Sequence, residues 1–169
     1  MFPLFNLIHI VIEEKLIKLL EVKFSEEEFS SCFLIELKKH VGNKIEVFID
    51  SDDGINFIAC QRISRYLEHH IEENGWLGEK YTLDVSSPGT GRPLKLKRQY
   101  PKHIGRKLEI KLKEGDPVTA ILTEVTDSGI VLEEKARIKE GKKKKTVVLT
   151  HEIAFDNIEK TVVKISFSK

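Results

Sequence analysis

Cysteine is scarce in this 169-residue chain, which has only Cys32 and Cys60. Two thiols 28 residues apart, with no CxxC pair, cannot make a disulfide framework or a zinc site of the usual spacing. Cys60 falls on the apolar stripe of a helical segment and Cys32 opens a strand, so both read as core thiols and a reducing cytoplasm is the expected setting. Long apolar runs are missing as well, and none approaches the roughly 18 residues of a membrane span. The apolar opening MFPLFNLIHIVIEEK has no Lys or Arg before Lys15 and no small-residue cleavage site after it. It is expected to open a helix rather than serve as a secretory signal.

Catalytic signatures are absent too. There is no GxSxG elbow, no HExxH pair and no convincing couple of carboxylates. Gly89-Thr90-Gly91 follows a strand, but a dinucleotide loop needs a third glycine and then a helix to aim at the phosphate. The Gly-Lys-Ser/Thr of a phosphate-binding Walker loop does not occur. Asp50-Ser51-Asp52-Asp53-Gly54 resembles a calcium loop only at its start, since its glycine is fifth and Gln61 stands where the bidentate Glu belongs. It is expected to be a solvated strand-to-helix loop, with Asn56 near the helix cap. His69 and His70 diverge by about 100° around a helix and cannot easily share a metal. No catalytic residue, metal, cofactor or small-molecule substrate is expected. The chain reads as a binding protein rather than an enzyme.

What is present begins with a hidden charge asymmetry. Hydrophobic residues make up 40% and charged residues 33% of the chain, a soluble globular composition, and the net charge is only +1. Residues 1–87 hold 9 Lys/Arg against 16 Asp/Glu, a net of −7, whereas residues 88–169 hold 19 against 11, a net of +8. Such opposed halves predict two modules, one of them suited to a polyanion.

The first module reads as α-β-β-α-β. Apolar residues at Ile8, Val11, Ile12, Leu16, Leu19 and Leu20 predict a helix from about Leu7 to Lys23. Ser25 with Glu28 looks like a capping box before a single turn ending near Ser31. CFLIELKK and KIEVFID predict two strands around a Val41-Gly42-Asn43 turn, with Ile45, Val47 and Ile49 on one face. Cys60, Ile63, Ser64, Leu67 and Ile71 form the stripe of a second helix over about 57–74, stopped by Asn74-Gly75. YTLDVSS is a third strand. Beyond it the pattern turns to strands alone: IGRKLEIKL, VTAILTEVTDS, GIVLEEKAR, KTVVLTHEI and KTVVKISF. Turns fall at Glu114–Pro117, Asp127–Gly129 and Gly141–Lys145. Five short strands at that spacing predict a small barrel.

Between the modules lies SSPGTGRPLKLKRQYPKHIGRK, residues 86–107, with seven Lys/Arg and no acidic side chain. Arg92, Lys95, Lys97, Arg98, Lys102, Arg106 and Lys107 offer phosphate contacts, and Tyr100 offers a ring on which an unpaired base could stack. Ser86, Ser87, Pro88, Gly89 and Pro93 are expected to shape the junction rather than touch a ligand. The alternative is a charged linker that only maintains solubility. Lys142–Lys145 is weaker, because lysines commonly decorate a turn between strands.

The stretch YTLDVSSPGTGRPLKLKRQYPKHIGRKLEIKL resembles the signature of the ribosome maturation factor RimP family. There a Y-x-L-[ED]-V-S-S-P-G strand is followed by R-P-L, a basic segment and I-G-[RK]. KIEVFID with CQRISRYLE, and HEIAFDNIEKTVV nearer the end, extend the resemblance from about Ile8 to Ile165. The chain departs from it at Thr90-Gly91, where the family usually has an apolar residue and an Asp, and in the acidic insert SEEEFSS. The resemblance implies an α+β protein of two domains. Residues 1–87 would be a KH-like α-β-β-α-β sandwich, 88–103 a basic linker and junction, and 104–169 a small Sm-like (SH3-like) β-barrel. It also implies a non-catalytic assembly factor without a cofactor, whose partner is the small (30S) ribosomal subunit, met through 16S rRNA, a small-subunit ribosomal protein or both. The protein is expected to be cytoplasmic and a monomer. The alternative is an Sm-like protein-interaction or general RNA-binding module with no ribosomal role.

Overall fold

Ile12, Leu16 and Leu20 recur at helical spacing and are buried as the inner stripe of α1, Leu4–Phe24. The structure, a computed structural model, describes residues 4–88 and 92–164, with side chains from Val11 onward. The chain divides into two units, residues 1–88 and 89–169.

In the first unit α1 is followed by a 3-10 turn at Glu27–Phe29. Ser25 does not cap that turn as its spacing predicts. Its hydroxyl donates back to the Val22 carbonyl at the end of α1, and the turn starts one residue later, with Glu26 in the N-cap position. Glu28 pairs instead with Arg62. β1, Cys32–His40, and β2, Lys44–Ser51, are antiparallel. They are joined where Gly42 and Asn43 adopt positive φ of 86° and 57°, a conformation open to Gly and tolerated by Asn.

α2 spans Phe57–Asn74. The Asn56 side chain accepts from the Ala59 N–H at 2.8 Å, and Gly75 ends the helix at φ 62°. β3, Thr82–Ser86, then runs parallel to β2, giving the order β1-β2-β3. A helix between parallel strands is the usual crossover. Ile45, Val47 and Ile49 of central β2 join Ile63, Leu67 and Ile71 of α2 and Leu16 and Leu20 of α1 in one apolar cluster. The solvated loop expected over Asp50–Gly54 begins two residues later. Asp50 and Ser51 end β2 and are only 3% and 4% exposed, the Asp50 carboxylate accepting from the Ser51 N–H at 2.8 Å, whereas Asp52, Asp53 and Gly54 are exposed.

The second unit is all-β apart from short 3-10 turns. Its strands are β4 (Lys107–Leu112), β5 (Val118–Val125), β6 (Gly129–Glu140), β7 (Lys143–Ala154) and β8 (Ile158–Val163). Their order is β7-β6-β5-β4-β8. The barrel expected from the sequence is thus an open five-stranded sheet, with no pairing between β7 and β8 among the described residues. The 3-10 turn Phe155–Asn157 carries the chain off β7, and β8 pairs with β4 at the far edge. Leu108, Ile110, Leu122, Ile130, Leu132 and Ile153 fill its core. The turn expected over Gly141–Lys145 is tighter: Glu140 pairs with Lys143, so Gly141 and Lys142 alone make it and Lys143–Lys145 are strand.

Gly129 opens β6 where backbone meets backbone. A Cβ there would stand 2.3 Å from the Ile153 carbonyl oxygen and 3.1 Å from the Ala154 Cα. Gly129→Ala is expected to destabilise this unit by about 1–3 kcal/mol through that overpacking. Urea unfolding followed by far-UV circular dichroism measures it, and an unshifted midpoint would refute the steric account.

Candidate nucleic-acid interface

The basic stretch is built into the second unit rather than strung beside it. The Leu94 N–H donates to the Thr161 carbonyl of β8 at 2.9 Å. Gln99, 1% exposed, accepts from the Lys95 and Leu96 N–H groups at 2.7 and 2.8 Å, bending the chain into 3-10 turns at Lys97–Gln99 and Pro101–His103. The segment is then hooked onto β5, with Gly105 N–H donating to the Leu122 carbonyl at 2.8 Å and Leu122 N–H to the Arg106 carbonyl at 3.0 Å.

Tyr100 does not present the stacking ring that its cationic neighbours suggest. It is 4% exposed, donates its hydroxyl to Thr161 Oγ1 at 2.8 Å and meets Phe155 edge-on with ring centres 5.2 Å apart. Burial pushes its hydroxyl pKa up, only partly opposed by the Thr161 hydrogen bond. Tyr100 is a core residue that pins the basic stretch to β8.

Lys95 and Lys97 line an open groove of about 770 Å³, which Lys111 of β4 and Lys160 of β8 also enter. Asp156 and Glu159 supply its two carboxylates, and Glu159 sits 3.6 Å from Lys111. Lys97 is held in place, with Nζ 5.1 Å over the Phe155 ring and 3.3 Å from the Asp127 carbonyl it donates to. Pro93 lines the same groove. Arg98, Arg106 and Lys107 are exposed outside it, and Arg92 and Lys102 are half-buried. Of the junction residues, Ser86 ends β3 opposite Phe48, Ser87 and Pro88 follow, and Gly89 lies outside the described residues, as do Thr90 and Gly91.

Three contributors escape a reading of the basic run alone. Gln99 positions the stretch, and its only local sign is the short spacing back to the N–H groups it caps. Lys111 and Lys160 reach the groove from β4 and β8, so no sequence window could assemble them. On the first unit, Phe57 and Ile58 are 79% and 65% exposed at the start of α2, next to the acidic Asp52-Asp53 turn. Among the described residues no group of His, Cys, Asp and Glu could hold a metal ion, and no helix is long and apolar enough to cross a membrane.

The family described as RimP N-terminal domain matches residues 23–91. The ribosome maturation factor RimP of Flavobacterium psychrophilum is 38% identical over 157 residues, covering 92% of this chain and 98% of the relative. The chain belongs to the RimP family. The factor of the same name from Christiangramia forsetii is 36% identical over 159 residues, 93% of this chain and all of that protein. That of Cytophaga hutchinsonii is 35% identical over 150 residues, 83% of this chain and 90% of its own. The family match ends as the basic stretch begins, while the first two relatives extend over more than nine-tenths of the chain.

Proposed function

We propose that this protein is a non-catalytic assembly factor that binds the small (30S) ribosomal subunit in the cytoplasm, as a monomer, and assists its maturation. The observation that carries the reading is the groove bearing Lys95, Lys97, Lys111 and Lys160, in a relative of proteins named ribosome maturation factors. Lysines on a folded scaffold supply phosphate affinity without sequence preference. The first unit, which we read as KH-like, suits a basic ribosomal protein, since residues 1–87 carry −7 and expose Phe57 as an apolar anchor. The second we read as Sm-like, with its last strand returning to lie beside its first. Holding 16S rRNA and a neighbouring protein together favours maturation only if the correct local arrangement binds better than the misassembled one.

Co-sedimentation with isolated small and large subunits across a potassium chloride series tests this. Selective small-subunit binding is expected, weakening on the order of 10²-fold between 50 and 200 mM salt if about four phosphates are neutralised. A folded protein that pellets with neither subunit would sink the reading and leave an interaction module with no ribosomal role.

A further inference from the structure

The two longest strands outrun their sheet. β5 pairs with β6 only as far as Ile121 opposite Glu133, whereas β6 and β7 pair for seven further positions, from Glu134 with Leu149 to Glu140 with Lys143. Those seven pairs make a two-stranded arm roughly 23 Å long, with no third strand on either side among the described residues. Residues 134–149 contain seven Lys/Arg and two Glu, a net of +5, so this arm carries most of the +8 of residues 88–169.

Strand alternation sorts those charges. Lys135, Arg137 and Lys139 share one face with Val148, Thr146 and Lys144 opposite them. The other face carries Ala136 and Ile138 opposite Val147 and Lys145. Lys139 and Lys144 stand directly across from each other, an arrangement that disfavours the hairpin until a counter-charge arrives. Glu134 is held 3.1 Å from His151 at the base of the arm, while none of the seven cations is in an ion pair among the described residues. Lysines also guard strand edges against pairing. Edge protection needs charge of no particular sign, however, and here seven of nine charged side chains are positive.

We propose that the β6–β7 arm is a second nucleic-acid contact, its Lys135–Arg137–Lys139–Lys144 face gripping the phosphate backbone of structured RNA without reading sequence. The choice of RNA as the polyanion rests on the ribosomal reading above; the charged arm does not. A duplex suits it because phosphates there line up on a rigid surface, and side chains have little access to base edges in the deep A-form groove.

The test uses the full chain and a fluorescein-labelled RNA hairpin with a stem of about 16 base pairs, read by anisotropy across a potassium chloride series. One variant combines Lys135→Gln, Arg137→Gln, Lys139→Gln and Lys144→Gln. A second replaces residues 137–146 by Asn-Gly, closing the arm at the Ala136–Val147 pair with a two-residue turn. Both are expected to bind on the order of 10²-fold more weakly, and the log–log salt slope is expected to fall by about 3 to 4. Wild-type affinity and slope in both folded variants would overturn the arm. A variant with Arg92, Lys95, Lys97 and Arg98 changed to Glu separates the two ideas. Loss there with both arm variants unaffected overturns the arm alone, and wild-type binding by all three overturns the RNA reading as well.

Discussion

Replacing Arg92, Lys95, Lys97 and Arg98 together by Glu is expected to abolish co-sedimentation with the small subunit while leaving the protein folded. Four such reversals move the net charge of residues 88–169 from +8 to 0 and that of the whole chain from +1 to −7. Each cation that neutralises a phosphate releases counterions, so losing four contacts and adding four repulsions weakens binding on the order of 10³-fold or more at physiological salt. The folded state should survive, because surface ion pairs contribute under about 1 kcal/mol each. Lys95, Lys97 and Arg98 are exposed, and the buried anchors Gln99 and Tyr100 are untouched. Pelleting with the subunits and circular dichroism of the same sample decide the matter. Full binding by a folded variant would remove this stretch from the interface and leave the arm as the main contact.

Tyr100→Ala is expected to destabilise the second unit by about 3–5 kcal/mol, the range for deleting a large buried aromatic. That is a large share of the 5–15 kcal/mol that small domains possess. The ring packs on Phe155 in the same cluster as Leu108 and Ile110, and its removal also unpins the basic stretch from β8. Tyr100→Phe keeps the ring but removes the partner of Thr161 Oγ1 on a fully buried residue, a loss of about 1–3 kcal/mol. The two variants separate packing from hydrogen bonding in urea unfolding.

The same hydroxyl makes an alkaline prediction. Burial raises its folded-state pKa above the unfolded value, which is about 10. The native state therefore keeps the proton after the unfolded chain has lost it, so this contribution is intact below about pH 10 and is lost as pH rises through the folded value. Stability of the wild type should fall more steeply than that of Tyr100→Phe as pH rises above about 10. Tyr66 and Tyr81 titrate alike in both proteins and cancel; Tyr81 is pushed up to about 12 by burial and the Glu72 hydrogen bond. Parallel pH profiles would mean that Tyr100 is not buried in solution.

Much of the fold was legible because local signals agreed with one another. The stripe of Cys60, Ile63, Leu67 and Ile71, closed by Asn56 and Gly75, had one consistent reading as α2. The strands were legible through their turns and alternation. Ser25 misled because a capping box is a spacing, while the turn actually starts one residue later, at Glu26, and leaves the Ser25 hydroxyl to close the end of α1 on the Val22 carbonyl. Tyr100 misled for a related reason, since an aromatic among cations looks exposed until the strand that covers it, 61 residues away, is in place.

By itself the sequence determined the element order, the opposed charges of its two halves and the basic character of residues 92–107, because these depend on neighbours along the chain. Only the tertiary structure decided that Lys111 and Lys160 join Lys95 and Lys97 in one groove, and that Tyr100 faces inward. It also decided that Lys135, Arg137, Lys139 and Lys144 share a face of an arm extending past β5. Pairing register and strand order set those positions, and both arise from contacts between segments far apart in the chain, which no local window contains.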